Sequence, residues 1–220
     1  MRIADLNWMQ LEEYLRRDDR IVLPLGSTEQ HGYLSLATDA ILAERMAIEA
    51  AEPLGVPVLP VLAFGITPYF AAFPGSPSVN EDTYLSFVGE LLESLRGQGF
   101  KRLLMVNGHG GNQPVEALAR PGVALHSWWS APRTLAVVRD IDPEASHASW
   151  MENFPWTRLA GVVLPDSHKP SSPRTRQDPK EVRANAGDGS FGGWYWRPDE
   201  DMMRVWRTGV DETREVLANL

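Results

Sequence analysis

The sequence predicts an α/β fold with a mostly parallel β-sheet and helices on both of its faces. Short apolar runs alternate along the chain with segments of helical periodicity, which is typical of βαβ units. The chain of 220 residues is 43% hydrophobic and 23% charged, which supports a packed core and argues against wholesale disorder. Since no repeat or domain boundary is evident, we expect one domain over residues 1–220.

Four apolar runs are the strand candidates, and they lie at residues 20–25, 57–63, 102–106 and 123–128. Helices are predicted where apolar residues recur at three- and four-residue spacing, at residues 5–17, 38–51 and 199–220, and in the third helix along the chain, which opens at residues 78–81 and is stopped by Gly97 and Gly99. Ser78 and Glu81 form a capping-box pattern at the start of the third helix. A further helix is expected to begin near Gln113-Pro114, because proline is tolerated in a first turn.

The charge balance excludes one large class of partners. The chain has 21 Lys and Arg against 29 Asp and Glu, the wrong balance for a protein that binds phosphate backbones, so we expect no nucleic acid. The longest apolar run, residues 56–66, is short and interrupted by prolines, and no signal-peptide core is visible. We therefore expect a soluble cytoplasmic protein without a membrane partner.

The residue types restrict any metal site. The chain has no cysteine, which excludes a disulfide framework, a thiolate nucleophile and a cysteine-based zinc or iron–sulfur site. A transition metal must therefore be held by His, Asp and Glu, and the chain has only five histidines. Of these, His126 lies within an apolar strand and is interpreted as an interior residue, and His168 lies in a polar loop and is expected to be exposed.

Polar clusters follow several of the predicted strands. In an open parallel sheet, ligands bind in this region, outside the carboxyl ends of the strands. Two imidazoles and three carboxylates at one end of a sheet would suit a divalent ion such as Zn, Mn or Fe. The candidates are Glu29, His31, Asp39, His109, His147 and Glu152. Simpler interpretations exist: Asp39 also suits a helix N-terminus, and His147 could be a surface residue. His109 lies among glycines that let backbone or ligand approach closely, including Gly110 and Gly111, which favours a binding role.

These motifs resemble those of the creatininase (creatinine amidohydrolase) family. The blocks are PLGSTEQHG at residues 24–32, Thr38-Asp39, NGHGGN at 107–112, FPGS at 73–76 and the spaced pair His147 and Glu152. They occur in the family's order and span residues 20–155. The combination of the EQHG and NGHGGN blocks is more specific than either block alone.

The resemblance implies a three-layer α/β sandwich with a binuclear metal centre, and assembly as a homohexamer. Carried over residue by residue, Glu29, Asp39 and His109 would hold one metal ion. His31 and Glu152 would hold the second, with Asp39 as the bridging ligand. His147 would be the general base or acid, a role that suits a group with a pKa near the operating pH.

The resemblance also has departures that leave the substrate open. Residues 33–37 (YLSLA) are one residue shorter than the family pattern and lack its second histidine, and Ser149-Trp150 replaces a Gly-x-acidic segment. We expect a hydrolase that cleaves a C–N bond in a small cyclic amide or formamide. The alternatives are opening of a cyclic keto-sugar by C–C cleavage, an inactive metal-bearing binding protein, or a nucleotide-binding domain with an anion site at residues 108–111.

Aromatic residues are the candidates for the substrate-binding surface. Trp150 is expected to stack on a planar ring, and Tyr69, Phe70 and Phe73 are expected to form a lid or a wall; for any single tryptophan, a place in the core or in a subunit interface is the alternative. The loop over residues 168–183 carries Arg174, Arg176 and Arg183. These arginines would either meet an anionic substrate or form a solvated basic loop.

Overall fold

The structure, a computed structural model, describes residues 1–172 and 178–220. Its centre is a parallel sheet whose neighbouring strands are, in order, β1 (Arg20–Leu25), β2 (Arg102–Asn107) and β3 (Val123–Ser127). Leu25, Asn107 and Ser127 lie opposite one another at the end of the register. The segments that follow the three strands therefore begin side by side, at one edge of the sheet.

The α-helices of the described residues are α1 (Trp8–Leu15), α2 (Thr38–Ala51), α3 (Glu81–Gly97), α4 (Pro132–Ile141), α5 (Pro179–Ala186) and α6 (Asp199–Ala218). Short 3-10 helices lie at Ile3–Asp5, Glu52–Leu54, Pro68–Phe70, Gly110–Leu118, Trp128–Ser130 and Trp150–Glu152. Two further strands, β4 (His168–Lys169) and β5 (Gly193–Trp194), form an antiparallel pair.

Both faces of the central sheet are buried under helices. Alternate side chains along a strand point in opposite directions, so each strand contributes to two cores. Val22, Leu104 and Val106 pack into a core with residues of α2, α4 and α6. Leu23 and Met105, from the opposite face, pack against α3. This arrangement of helices, sheet and helices confirms the predicted α/β class and the mostly parallel sheet.

The strand predicted at residues 57–63 is wrong. This segment runs along β1 but pairs with it only at isolated bridges, Val58 with Val22 and Leu62 with Leu25. Pro57 lies at its start and Pro60 within it. Because proline has no backbone N–H, it cannot donate to a β-ladder, and the segment remains irregular.

Two helix starts differ from the sequence prediction because other residues cap them. Asn7 and Gln10 form a reciprocal capping box, so α1 begins at Trp8 instead of at the predicted residue 5. The side chain of Asn80 accepts from the Asp82 N–H at 2.9 Å and caps α3. Ser78, predicted to cap this helix, instead accepts from the Thr67 N–H at 2.9 Å. The helix expected near Gln113 is a 3-10 helix that begins at Gly110.

The C-terminal third of the chain is more regular than predicted. Residues 168–183 were expected to form one loop, but α5 begins at Pro179, because the side chain of Asp178 accepts from the Lys180 N–H at 2.8 Å. The prediction is therefore wrong for residues 179–183. Arg174 and Arg176 lie outside the described residues. Within the described ranges, no helix is both long and apolar enough to cross a membrane.

Candidate metal centre

The predicted ligands come together at the carboxyl edge of the parallel sheet. Glu29 and His31 follow β1, Asp39 lies in the first turn of α2, and His109 follows β2. The fifth ligand, Glu152, ends a 3-10 helix far along the chain. The three acidic residues and two histidines contact one another, and Glu29, His31, Asp39 and His109 are at most 3% exposed.

Glycine makes this close approach possible. A Cβ atom on Gly108 would lie 2.7 Å from the backbone oxygen of Asp39, so only glycine lets the start of α2 pack against the end of β2. A Cβ atom on Gly111 would overlap the backbone oxygen of Ile66 and the ring of His109. The glycines of the NGHGGN block therefore position two of the candidate ligands.

The first ligand group consists of Glu29, Asp39 and His109, whose candidate donor atoms all lie within 4.8 Å of one another. Nδ1 of His109 is 2.8 Å from Oδ2 of Asp39 and 3.4 Å from Oε1 of Glu29. Nε2 of His109 donates to the backbone oxygen of Ile66 at 3.0 Å. That hydrogen bond holds the ring so that Nδ1 faces the carboxylates, as is typical of metal-binding histidines.

The second group consists of His31, Asp39 and Glu152, with donor atoms that also lie within 4.8 Å of one another. Nε2 of His31 is 3.0 Å from Oδ1 of Asp39 and 3.8 Å from Oε2 of Glu152. Nδ1 of His31 donates to the backbone oxygen of Glu29 at 3.1 Å. The two oxygens of Asp39 therefore face different histidines, which is the arrangement expected of a bridging carboxylate.

The carboxylates control the charge of the two histidines. Burial lowers the pKa of His31, but Asp39 and Glu152 outweigh it and raise that pKa to about 10. Burial has the same effect at His109, where Glu29 and Asp39 raise the pKa well above its ordinary value. Burial raises the pKa of Asp39, but the two histidines lower it further than burial raises it. Protons on two imidazoles thus balance part of the buried negative charge.

The remaining carboxyl groups indicate that this balance is incomplete. Burial raises the pKa of Glu29, and it raises the pKa of Glu152 to about 7. Oε2 of Glu29 is buried and has no hydrogen-bond partner among the described residues. A buried anionic oxygen without a donor is costly, and a divalent cation would satisfy it. Histidine and carboxylate donors suit Zn, Mn or Fe, so the residues present fit metal ions of this class.

His147 lies beside this centre, and its ring centroid is 4.4 Å from that of His31. Nε2 of His147 is 2.8 Å from the backbone oxygen of Gln30 and 2.9 Å from the side-chain nitrogen of the same residue; because the nearer carbonyl can only accept, we assign the proton to Nε2. Nδ1 then carries the lone pair and lies 3.6 Å from Oε1 of Glu29. Burial lowers the pKa of His147 well below its ordinary value, which keeps the ring neutral. Its donor atom also groups with those of Glu29 and His31, so this ring is within reach of an ion.

A cavity of about 390 Å³ lies over the acidic groups. Its lining includes Glu29, Asp39, His109, His147 and Glu152, together with the predicted Tyr69, Gly110 and Gly111. Sequence reasoning missed the wall formed by α4, where Leu135, Val138 and Arg139 lie at helical spacing, and also missed Phe191. The spacing of residues 135, 138 and 139 was the available signal for that wall.

The structure places two of the predicted substrate-binding residues elsewhere. Trp150 is fully buried and packs in the core instead of lining the cavity. Successive side chains of a 3-10 helix point about 120° apart, so Glu152 faces the site while Trp150 faces the core. Phe73 does not line the cavity either, and Phe70 takes that place by stacking on His147 at a centroid distance of 4.6 Å. Arg183 contacts the ring of Phe73.

The other two histidines lie apart from the centre, as predicted. Nε2 of His126 is 3.0 Å from the hydroxyl of Thr213 in the interior, and His168 is exposed and pairs with Glu144. The glycine turn at residues 108–111 faces the carboxylates of Glu29 and Asp39. Because these groups would repel a phosphate, the arrangement argues against a nucleotide site there.

Together, the fold and the site define an α/β protein with a buried histidine–carboxylate centre at the carboxyl edge of a parallel sheet, whose donor atoms fit divalent cations. The chain belongs to the creatininase family, since the family model described as creatinine amidohydrolase matches residues 4–210. The family resemblance identified from the sequence motifs is therefore confirmed.

Several curated relatives share parts of this sequence. The chain is 31% identical over 103 residues to the 3-dehydro-scyllo-inosose hydrolase of Thermotoga maritima, covering 46% of this chain and 33% of the relative. It is 26% identical over 163 residues to the creatinine amidohydrolase of Pseudomonas putida, covering 64% and 63%. It is 35% identical over 135 residues to the mycofactocin precursor peptide peptidase of Mycolicibacterium smegmatis, covering 58% and 53%. The chain thus spans between one third and just under two thirds of these relatives.

Solved structures share the fold over nearly the whole chain. A crystal structure of creatinine amidohydrolase aligns with a TM-score of 0.78 at 22% identity, covering 99% of this chain and 96% of the other. A structure described as creatininase with Mn aligns with a TM-score of 0.78 at 21% identity, covering 99% and 97%. A mutant creatininase of Zn-Zn type gives 0.76 at 21% identity, with the same coverage. These alignments support the three-layer α/β fold.

Proposed function

We propose that the protein is a metal-dependent hydrolase that cleaves the C–N bond of a small cyclic amide or formamide. The observation that carries this proposal is the pair of ligand groups that share Asp39, buried at the base of a cavity. Family membership supports it, because the Pseudomonas putida relative is a creatinine amidohydrolase.

Two divalent ions, Zn, Mn or Fe, would be held in this centre. Glu29, Asp39 and His109 would hold one ion, and His31, Asp39 and Glu152 the other, so that Asp39 is shared. When bound, such ions lower the pKa of a water molecule and polarise a carbonyl oxygen. The Mn and Zn-Zn creatininase structures support this class of metal.

His147 would move the proton. Its neutral ring carries the lone pair on Nδ1, so it can accept a proton from the attacking water and return it to the departing nitrogen. Phe70 stacks on the ring and Phe191 packs at a centroid distance of 5.2 Å, so both limit the access of bulk water. The hydrogen bond to the Gln30 backbone fixes the ring orientation.

A second candidate function is the opening of a cyclic keto-sugar by C–C cleavage. The similarity to the inosose hydrolase and the missing second histidine in residues 33–37 favour it. The cavity wall contains Leu135, Val138 and Phe191, which offer no side-chain hydrogen bonds to sugar hydroxyls, and this favours the amide. Hydrolysis assays that compare lactams and formamides with cyclic ketones would separate the two. The open cavity argues against an inactive protein.

Metal analysis tests the central part of the proposal. We expect two divalent ions per chain in the purified protein and a loss of at least one ion in His109→Ala. His168→Ala is the matched control, because this exposed histidine lies outside the centre and should leave the metal content unchanged. If neither the native protein nor His109→Ala contained a divalent ion, the proposal would be wrong.

We further propose, from the family resemblance, that the protein acts in the cytoplasm and assembles as a homohexamer. Light scattering coupled to size-exclusion chromatography measures the mass of the assembly directly. A monomeric mass at working concentration would contradict the hexamer without affecting the metal centre.

A further inference from the structure

The charged residues that line the cavity are distributed unevenly. The acidic residues Glu29, Asp39 and Glu152 lie together at the metal centre, and Arg139 is the one Lys or Arg among the described residues that line the cavity. Arg139 lies in the last turn of α4 and is exposed, so its side chain is at the rim of the cavity. The cavity therefore has a metal-binding floor and a single cationic group at its mouth.

Arg139 has no hydrogen-bond or ion-pair partner among the described residues, whereas arginines near it are paired. Arg133, on the same helix, pairs with Glu215 at 2.9 Å. Asp140, the residue after Arg139, pairs with Arg204 at 2.5 Å. Residues 173–177, outside the described ranges, contain no Asp or Glu, so they offer no carboxylate either. The guanidinium of Arg139 is thus available to an anion from solution.

The cavity lining that α4 supplies beside Arg139 is apolar. Leu135 and Val138 lie on the same face of α4 as Arg139, because residues three and four apart on a helix are neighbours. Phe191 and Trp129 also line the cavity. A ligand that reached from the centre to Arg139 would place an apolar body against these side chains.

We propose that Arg139 binds a carboxylate of the substrate, and that the substrate is a small amide with an apolar body between its scissile bond and that carboxylate. N-acylated apolar amino acids are the simplest members of this class. The inference rests on the proposed hydrolase function. A guanidinium recognises a carboxylate through paired N–H donors, so the contact would fix the orientation of the amide over the metal centre.

The reaction itself is an ordinary hydrolysis. The C–N bond of the amide breaks, and the oxygen of a water molecule forms the new C–O bond. One proton of the water ends on the departing nitrogen, and the products are a carboxylic acid and an amine. No oxidant, reductant or further reactant is needed, and Arg139 takes no part in the bond changes.

Matched substrates test the role of Arg139. We expect the metal-loaded protein to hydrolyse N-formylphenylalanine with a KM about 10-fold lower than that for N-formylphenylalanine amide, which has the same apolar body without the charge. Arg139→Ala should raise the KM for the acid about 10-fold, leave kcat nearly unchanged and leave the neutral amide unaffected. Arg207→Ala is the matched control, since Arg207 is an exposed arginine that does not line the cavity.

A binding measurement decides whether the carboxylate of a ligand binds to Arg139 or to the metal ions. Calorimetry should show that 3-phenylpropanoate binds more tightly than 3-phenylpropanamide, and that Arg139→Ala removes the difference. If Arg139→Ala kept the difference in affinity between the two ligands, and chelation of the metal removed it, the carboxylate would bind the metal ions. That result would overturn the inference. Equal KM values for the two formyl substrates in both proteins would also overturn it.

Failure of the inference can be distinguished from failure of the proposed function. If the protein hydrolyses the neutral amide well and Arg139→Ala changes nothing, the hydrolase proposal stands and the role of Arg139 is wrong. If no amide is hydrolysed by the metal-loaded protein, the hydrolase proposal is wrong and the role of Arg139 in hydrolysis falls with it.

Discussion

Both edges of the parallel sheet carry clusters of charged residues, and the two clusters are neutralised differently. At the amino edge, where β1 and β2 begin, Asp18 pairs with Arg20 at 2.7 Å and with Arg102 at 2.9 Å. Asp19 also pairs with Arg102. At the carboxyl edge, Glu29, Asp39 and Glu152 have no Lys or Arg partner among the described residues.

This difference has a chemical meaning. Arginine carries a permanent charge, so the amino edge is neutralised by the chain itself and needs nothing from solution. Histidine gains or loses a proton, so the net charge at the carboxyl edge depends on protons that exchange with solvent. Because metal ions compete with protons for the same imidazole nitrogens, the second cluster is suited to binding and the first to holding the strands together.

The largest expected effect is at the shared carboxylate of the carboxyl edge. Asp39→Asn replaces two anionic oxygens by a neutral amide, so we expect loss of bound divalent ions and a fall in hydrolytic activity of about 10³-fold. Metal analysis and steady-state kinetics measure the two effects, and circular dichroism checks the fold. Asp18→Asn is the matched control at the amino edge and should keep its metal. Equal metal loss in both variants would break the comparison between the edges.

Metal removal is expected to have an intermediate effect, on stability. A ligand that binds only the folded protein stabilises it by about 3 kcal/mol at 100-fold excess over its dissociation constant, which corresponds to about 6–12 °C in Tm for a chain of this size. Thermal melts with Zn or Mn, and after chelation, measure the shift. A similar shift in Asp39→Asn would mean that the ions act at another site.

The smallest of these effects is expected at the amino edge. Burial raises the pKa of Asp18, but hydrogen bonds from Arg20 and the charge of Arg102 lower it below its ordinary value. A lowered pKa in the folded state contributes stability above the unfolded-state pKa, and this contribution is lost as the pH falls through the folded-state pKa. We expect Asp18→Asn to lower the free energy of unfolding by about 1–3 kcal/mol at about pH 7.

Urea denaturation at several pH values checks the sign of this effect. The difference between the native protein and Asp18→Asn should shrink as the pH falls below about 4, where the native carboxylate also becomes neutral. A difference that stayed constant down to acidic pH would mean that packing, rather than charge, accounts for the loss.

Residues that carry their own local pattern could be predicted from the sequence. The apolar run at Arg20–Leu25 predicts a strand, which the structure confirms, and the polar residues after it meet the other candidate ligands, because a parallel sheet brings such residues to one edge. The strand prediction at residues 57–63 was wrong. It relied on apolar content, whereas the prolines in this segment remove backbone N–H donors that a regular strand pairing needs. Ser78 and Asn80 compete to cap the same helix, and only their tertiary neighbours decide between them.

The sequence by itself determined the α/β class, because this depends on hydrophobic periodicity, and the family, because this depends on the motif blocks; it also predicted the candidate donor residues that the structure brings together. Only the tertiary structure decided which carboxylate oxygen faces which histidine, that Trp150 turns into the core, and that Arg139 at the cavity rim has no partner among the described residues. These features depend on side-chain direction and on contacts between residues far apart in the chain. The direction of Trp150 depends on a three-residue 3-10 helix, and Asp140, which adjoins Arg139 in sequence, pairs with Arg204 from a helix more than sixty residues away.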